Sequence, residues 1–173
     1  MNNHQHLTRT LVAAVALTVA TVVAGSGLAS ADGHHEHGHT PTPHHYHFVD
    51  HATGRISLPL TEFTLIGHGF SNVQGRTHSV FVHNSSGVES VTVSSEDGDS
   101  TRMVIGAPLP TTDVVCPVGA YPARSNGTIV GGTGRFADAT GTFVVTACNA
   151  FSDFAPDGVT LSSTADAVGT IIF

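Results

Sequence analysis

Beyond Arg55 this chain breaks into short segments rich in Val, Ile, Thr and Phe whose side chains sort into two faces with period two rather than 3.6, a pattern that commits it to β-structure. In the stretch 76–84, His78, Val80 and Val82 share one face of an extended chain, and Ser79, Phe81 and His83 share the other. In 140–150, Phe143, Val145 and Ala147 oppose Thr142, Thr146 and Cys148. The candidate strands are 60–68, 76–84, 88–94, 100–106, 128–131, 140–150, 158–165 and 167–173, each rich in Val, Ile, Thr or Phe. Turn residues separate them: Asn84-Ser85-Ser86-Gly87, Glu96-Asp97-Gly98-Asp99 and Pro156-Asp157-Gly158 supply the backbone freedom that hairpins demand. Pro108, Pro110, Pro117 and Pro122 make 107–126 read as one long loop. Such a series of short strands fits an all-β barrel or sandwich. An eight-stranded barrel has room inside for packed side chains or one small ligand.

The chain opens differently. Leu11 to Ala24 is an apolar run preceded by Arg9 and followed by Ser-Gly-Leu-Ala-Ser-Ala, with Ala29 and Ala31 in the small-x-small arrangement of a cleavage site. This is the layout of a secretory signal peptide, and the run is shorter than the ~20 residues a membrane-spanning helix needs. Residues 1–31 are therefore expected to be removed. The product would be secreted, with no stable membrane span. Cys116 and Cys148 are the only cysteines, and in an exported chain they are expected to form one disulfide. They lack the C-x-x-C spacing of a redox pair, and two cysteines cannot complete a structural zinc site. The net charge is −7 and the six cations are all arginine, which argues against a nucleic-acid partner.

Between the leader and the strands lies Asp32–His51, which carries eight of the thirteen histidines together with Gly33, Gly38, Pro41 and Pro43. Residues 32–54 read as a flexible tail with too little apolar content to fold, and 55–173 as the globular domain. His34, His35, His37, His39, His44, His45 and His47 are candidate ligands for Cu(II), Ni(II) or Zn(II), which neutral imidazole binds well. Cleavage after Ala31 would also create an Asp32-Gly33-His34 terminus. Its amine, two amides and imidazole suit the square-planar preference of Cu(II) and Ni(II).

The most distinctive run is Gly127 to Phe143, with Gly131-Gly132-Thr133-Gly134-Arg135-Phe136 at its centre. No helix pattern follows it, so it is not a nucleotide-binding loop. Gly131, Gly132 and Gly134 read instead as a tight turn between strands, with Phe136 as a plug and Arg135 paired to Asp138. The run resembles the GGTG-R/K-F-x-x-A-x-G signature of the allene oxide cyclase and dirigent barrels, and of small secreted bacterial proteins of actinobacterial type. Gly67-His68-Gly69 with Gln74-Gly75-Arg76, the 95–99 turn and the closing 158–173 segment resemble the bacterial group in the same order. The resemblance implies an eight-stranded antiparallel barrel whose cavity takes an apolar molecule. It carries over no catalytic residue, because only this turn matches and it is an architectural element of the fold.

Other chemistry is sparse. Glu96, Asp97 and Asp99 share a turn but lack the ligand spacing of an EF-hand. His68, His78 and His83 fall on neighbouring candidate strands, although His78 and His83 should face opposite ways. There is no G-x-S-x-G elbow and no H-E-x-x-H. The sequence thus leads to a secreted, non-catalytic barrel that binds a small apolar molecule or acts at the cell exterior. The alternatives are an isomerase or cyclase using the barrel cavity, and extracytoplasmic metal binding by the histidine tail.

Overall fold

The computed structural model describes residues 41–57, 62–84 and 89–173. Its strands are β1 (His44–Ser57), β2 (Phe63–Ser71), β3 (Gly75–His83), β4 (Glu89–Ser95), β5 (Ser100–Ile105), β6 (Leu109–Pro110), β7 (Ala120–Thr133), β8 (Thr140–Ala155) and β9 (Gly158–Ile172). Every pairing is antiparallel, in the order β5-β4-β3-β2-β1-β9-β8-β7-β6, and β5 pairs again with β7. That last pairing closes eight strands into a barrel and leaves the two-residue β6 as an addition to β7. Closure matters because a free sheet edge exposes unpaired backbone groups.

Period-two alternation sorts the side chains. Tyr46, Phe48, Val91, Val93, Met103, Ile129, Phe143, Ala167 and Ile171 point inward and form one buried cluster. Ala52, Ile56, Leu65, Val159 and Leu161 form a second. Phe136 belongs to the first cluster and is fully buried, as a plug should be. The chain delivers it by ending β7 in a 3-10 turn, Gly134–Phe136. Gly134 adopts φ +59°, a left-handed conformation, and any Cβ there would strike the Asp99 carboxylate. Phe136 packs edge-on against Phe173, with ring centroids 4.8 Å apart. The Arg135 guanidinium lies 4.8 Å above the Phe136 ring, donates to the Val73 carbonyl at 2.7 Å, and meets Asp99 at 3.5 Å. The carboxylate partner of Arg135 is therefore Asp99 on the facing turn, not Asp138 as the sequence suggested.

Three boundaries differ from the sequence reading. The expected flexible tail over 32–54 does not reach that far, because His44–Ser57 is β1 and pairs along its whole length with β9. The expected loop over 107–126 contains the start of β7, with Pro122 seated in register opposite Cys148. The two closing strands 158–165 and 167–173 are one strand, β9, since Asp166 continues the ladder opposite Val49 and Thr146. The disulfide between Cys116 and Cys148 is present, with Cα atoms 5.5 Å apart, and fastens the loop before β7 to β8. Phe136→Ala should cost about 3–5 kcal/mol, because it empties a site closed on all sides. A urea denaturation midpoint unchanged from the parent would show that the turn, not the ring, holds that end of the barrel.

Candidate functional site

The inward positions of β1 run Tyr46, Phe48, Asp50, Ala52 and Ile56, so one carboxylate stands in an otherwise apolar or aromatic file. Asp50 lies opposite Gly69 on β2, and Gly69 lies opposite Thr77 on β3. The three residues form one rung of the barrel wall, and the middle position carries no side chain. Gly67 leaves space in the same way: a Cβ there would collide with Asp50 Oδ2 and Ser79 Oγ. A Cβ on Gly69 would stand 2.9 Å from Asp50 Oδ1. The two glycines thus form the recess in which the carboxylate sits.

Hydrogen bonding in the recess is incomplete. Ser79 Oγ donates to Asp50 Oδ2 at 2.8 Å. Asp50 Oδ1 and Thr77 Oγ1 are buried without a hydrogen-bond partner among the described residues. Burial pushes the Asp50 carboxyl above its ordinary range, opposed by the Ser79 hydrogen bond and more weakly by His51 and His68 outside the wall. The His51 backbone N–H also favours the carboxylate, but no donor meets hydrogen-bond geometry at Oδ1.

The neighbouring polar groups, by contrast, are paired. The Tyr46 hydroxyl, whose pKa burial drives upward, donates to Met103 Sδ at 3.9 Å, with Ser71 and Thr101 also in reach. Thr101 Oγ1 donates to Gln74 Oε1 at 3.2 Å, and Gln74 Nε2 donates to the Val93 carbonyl at 3.0 Å. These residues serve the core; the rung at Gly69 is where buried polar atoms are left over.

A second inward-facing polar group is the rung His83–Glu89. Its Nδ1 and Oε1 are 3.3 Å apart, and Phe63 stacks on the imidazole with centroids 4.8 Å apart and planes 9° from parallel. Burial raises the Glu89 pKa and the His83 charge opposes that rise. An acid–base pair of this kind is equipped to move a proton.

The residues singled out in the sequence are placed as follows. His44, His45 and His47 lie on β1 rather than on a mobile tail. His44 stacks on Phe173, and His47 Nε2 is 3.1 Å from Asp166 Oδ1. His34, His35, His37 and His39 lie outside the described residues. His68 and His78 face one another on the outer wall, whereas His83 faces inward, so the three do not converge. Among the described residues, no group of three His, Cys, Asp or Glu side chains is placed to hold a metal ion. Asp99, from the acidic turn, is engaged by Arg135. Asp50, Thr77, Ser79 and Glu89 escaped the sequence reading. The available signal was a charged residue in phase with Tyr46, Phe48, Ala52 and Ile56, a period-two file hidden among histidines.

No family model matches the chain, and no curated protein matches it. One solved structure, described as a pterocarpan synthase dirigent protein, is similar at 14% identity and a TM-score of 0.37, covering 80% of this chain and 89% of that one.

The raised pKa gives Asp50 a definite pH signature. With the folded value above the unfolded one, the group costs nothing when protonated in both states, and stability falls as pH rises through the window between the two values. Asp50→Asn should therefore raise the melting temperature at pH 7 and lose that advantage near pH 3. Melting curves of both proteins at the two pH values test this, and an equal difference at both would refute it.

Proposed function

We propose that this protein is an exported binding barrel that holds a small, largely apolar alcohol or phenol against the rung of Asp50, Gly69 and Thr77. The observation that carries this reading is the pair of orphaned buried atoms, Asp50 Oδ1 and Thr77 Oγ1, on either side of a position with no side chain. A buried polar group without a partner costs about 1–3 kcal/mol. One ligand hydroxyl meets both needs, donating to the carboxylate and accepting from the threonine. Tyr46 and Phe48 on the same inward face supply aromatic surface for the rest of the molecule. The signal-peptide pattern supports export, as does the disulfide, which persists in oxidising compartments. The turn at 131–136 that resembles the allene oxide cyclase and dirigent barrels supports a lumenal site.

A second reading, an isomerase or cyclase, draws on the inward-facing His83–Glu89 pair beside Phe63. It would use the imidazole as the proton carrier and Glu89 to orient it. Substitution of His83 by Gln would then abolish turnover while leaving phenol binding in place.

Two measurements test the binding reading. A native mass spectrum of the untagged protein recovered from culture medium should show a chain that begins at Asp32, lies two hydrogens below the reduced mass, and carries a retained organic molecule. A species still carrying residues 1–31 would overturn export. Titration with phenol and with toluene should show phenol bound roughly tenfold tighter, the value of one satisfied hydrogen bond. That preference should collapse in Thr77→Val and in Asp50→Asn. Equal affinity for the two probes in the parent protein would overturn the assigned anchor.

A further inference from the structure

The outer wall of the barrel carries a rung of three histidines. His51 on β1 lies opposite His68 on β2, and His68 lies opposite His78 on β3. All three are exposed. His51 turns away, with Nδ1 3.2 Å from Thr164 Oγ1 on β9. His68 and His78 turn toward each other: their ring centroids are 4.7 Å apart, their planes are tilted by 51°, and the two Nδ1 atoms face one another at 3.4 Å.

That separation is long for an N–H···N hydrogen bond. It does match a metal chelate. Two imidazole nitrogens bound to zinc at about 2.0–2.1 Å with a tetrahedral angle stand roughly 3.3–3.4 Å apart. A square-planar copper or nickel ion, with its right-angled bite, would draw them to roughly 2.9 Å. The antiparallel ladder holds both Cα positions, so the pair is arranged before any ion arrives and little ordering is left to be done on binding. The histidines open on a depression of about 450 Å³ that Arg76, Ser94 and Glu96 also border. No third protein ligand is in place among the described residues, so the remaining positions fall to water or to an incoming donor.

We propose that His68 and His78 form a two-histidine zinc site across β2 and β3, on the outer wall and separate from the lumen. The site exists only when the strands are paired. Metal bound to the folded state alone raises the melting temperature, whereas metal bound equally to both states does not.

The test is the melting temperature of the full chain with 1 mM zinc chloride and with EDTA. The expected result is a rise of about 4 °C or more with zinc. His68→Gln and His78→Gln should each abolish the rise while melting normally in EDTA, since both side chains are exposed. Replacing His34, His35, His37 and His39 by Asn should leave the rise intact. Absence of a zinc-dependent rise, its persistence in the two strand variants, or its loss in the tail variant would each overturn the assignment.

Discussion

The pairing of β1 with β9 holds this molecule shut. Every residue from His44 to Ser57 has a partner on β9, and β2 pairs on the other side. Without β1 the remaining strands would still follow one another from β2 through β5 and β7 to β9, but as an open sheet with two exposed edges. The apolar residues that β1 turns inward would then lose their enclosure. So would the buried carboxylate that it carries. Fold and candidate site thus depend on the same strand.

Asp50 illustrates how a barrel of this size accommodates a charge. The lumen is filled mainly by aliphatic and aromatic side chains, and an isolated carboxylate there is costly. The wall lowers the cost in three ways: a serine hydroxyl at 2.8 Å, two glycines that withdraw the wall, and histidines outside that favour the ionised form. One oxygen is nevertheless left unpartnered. Residues chosen for stability alone would have placed an aliphatic side chain at position 50, and such local inconsistencies tend to mark sites under functional demand.

Much of the architecture was legible because period two is a strong signal wherever one face is buried. β2, β3, β4, β5 and β8 fall within a few residues of their expected starts. The eight-stranded barrel was also expected, but two errors offset each other in reaching that number. β1 was missed because it begins inside the histidine-rich run and the residues before it are rich in Gly and Pro, so composition outweighed alternation. β9 was split at Asp166, which the structure places on the outer face against His47. Pro122 hid the start of β7, although a proline is tolerated where a strand extends beyond the closed part of a sheet. The site was harder to read than the fold. Its members come from three strands, and the register that aligns Asp50, Gly69 and Thr77 is a property of pairing that no single segment encodes.

The β1–β9 ladder also sets the order of events as the chain is made. Its partners are more than 100 residues apart, from Ser57 opposite Gly158 to His44 opposite Ile171. The first strand to emerge must therefore wait for the last. During that interval the edge of β1 that will meet β9 is open, although β2 can already cover the other, and polar outward residues, His45, His47, His51 and Arg55 among them, keep it hydrated and discourage association with a neighbouring chain. The histidines that disguise this strand in the sequence thus act as gatekeepers for it before the barrel closes.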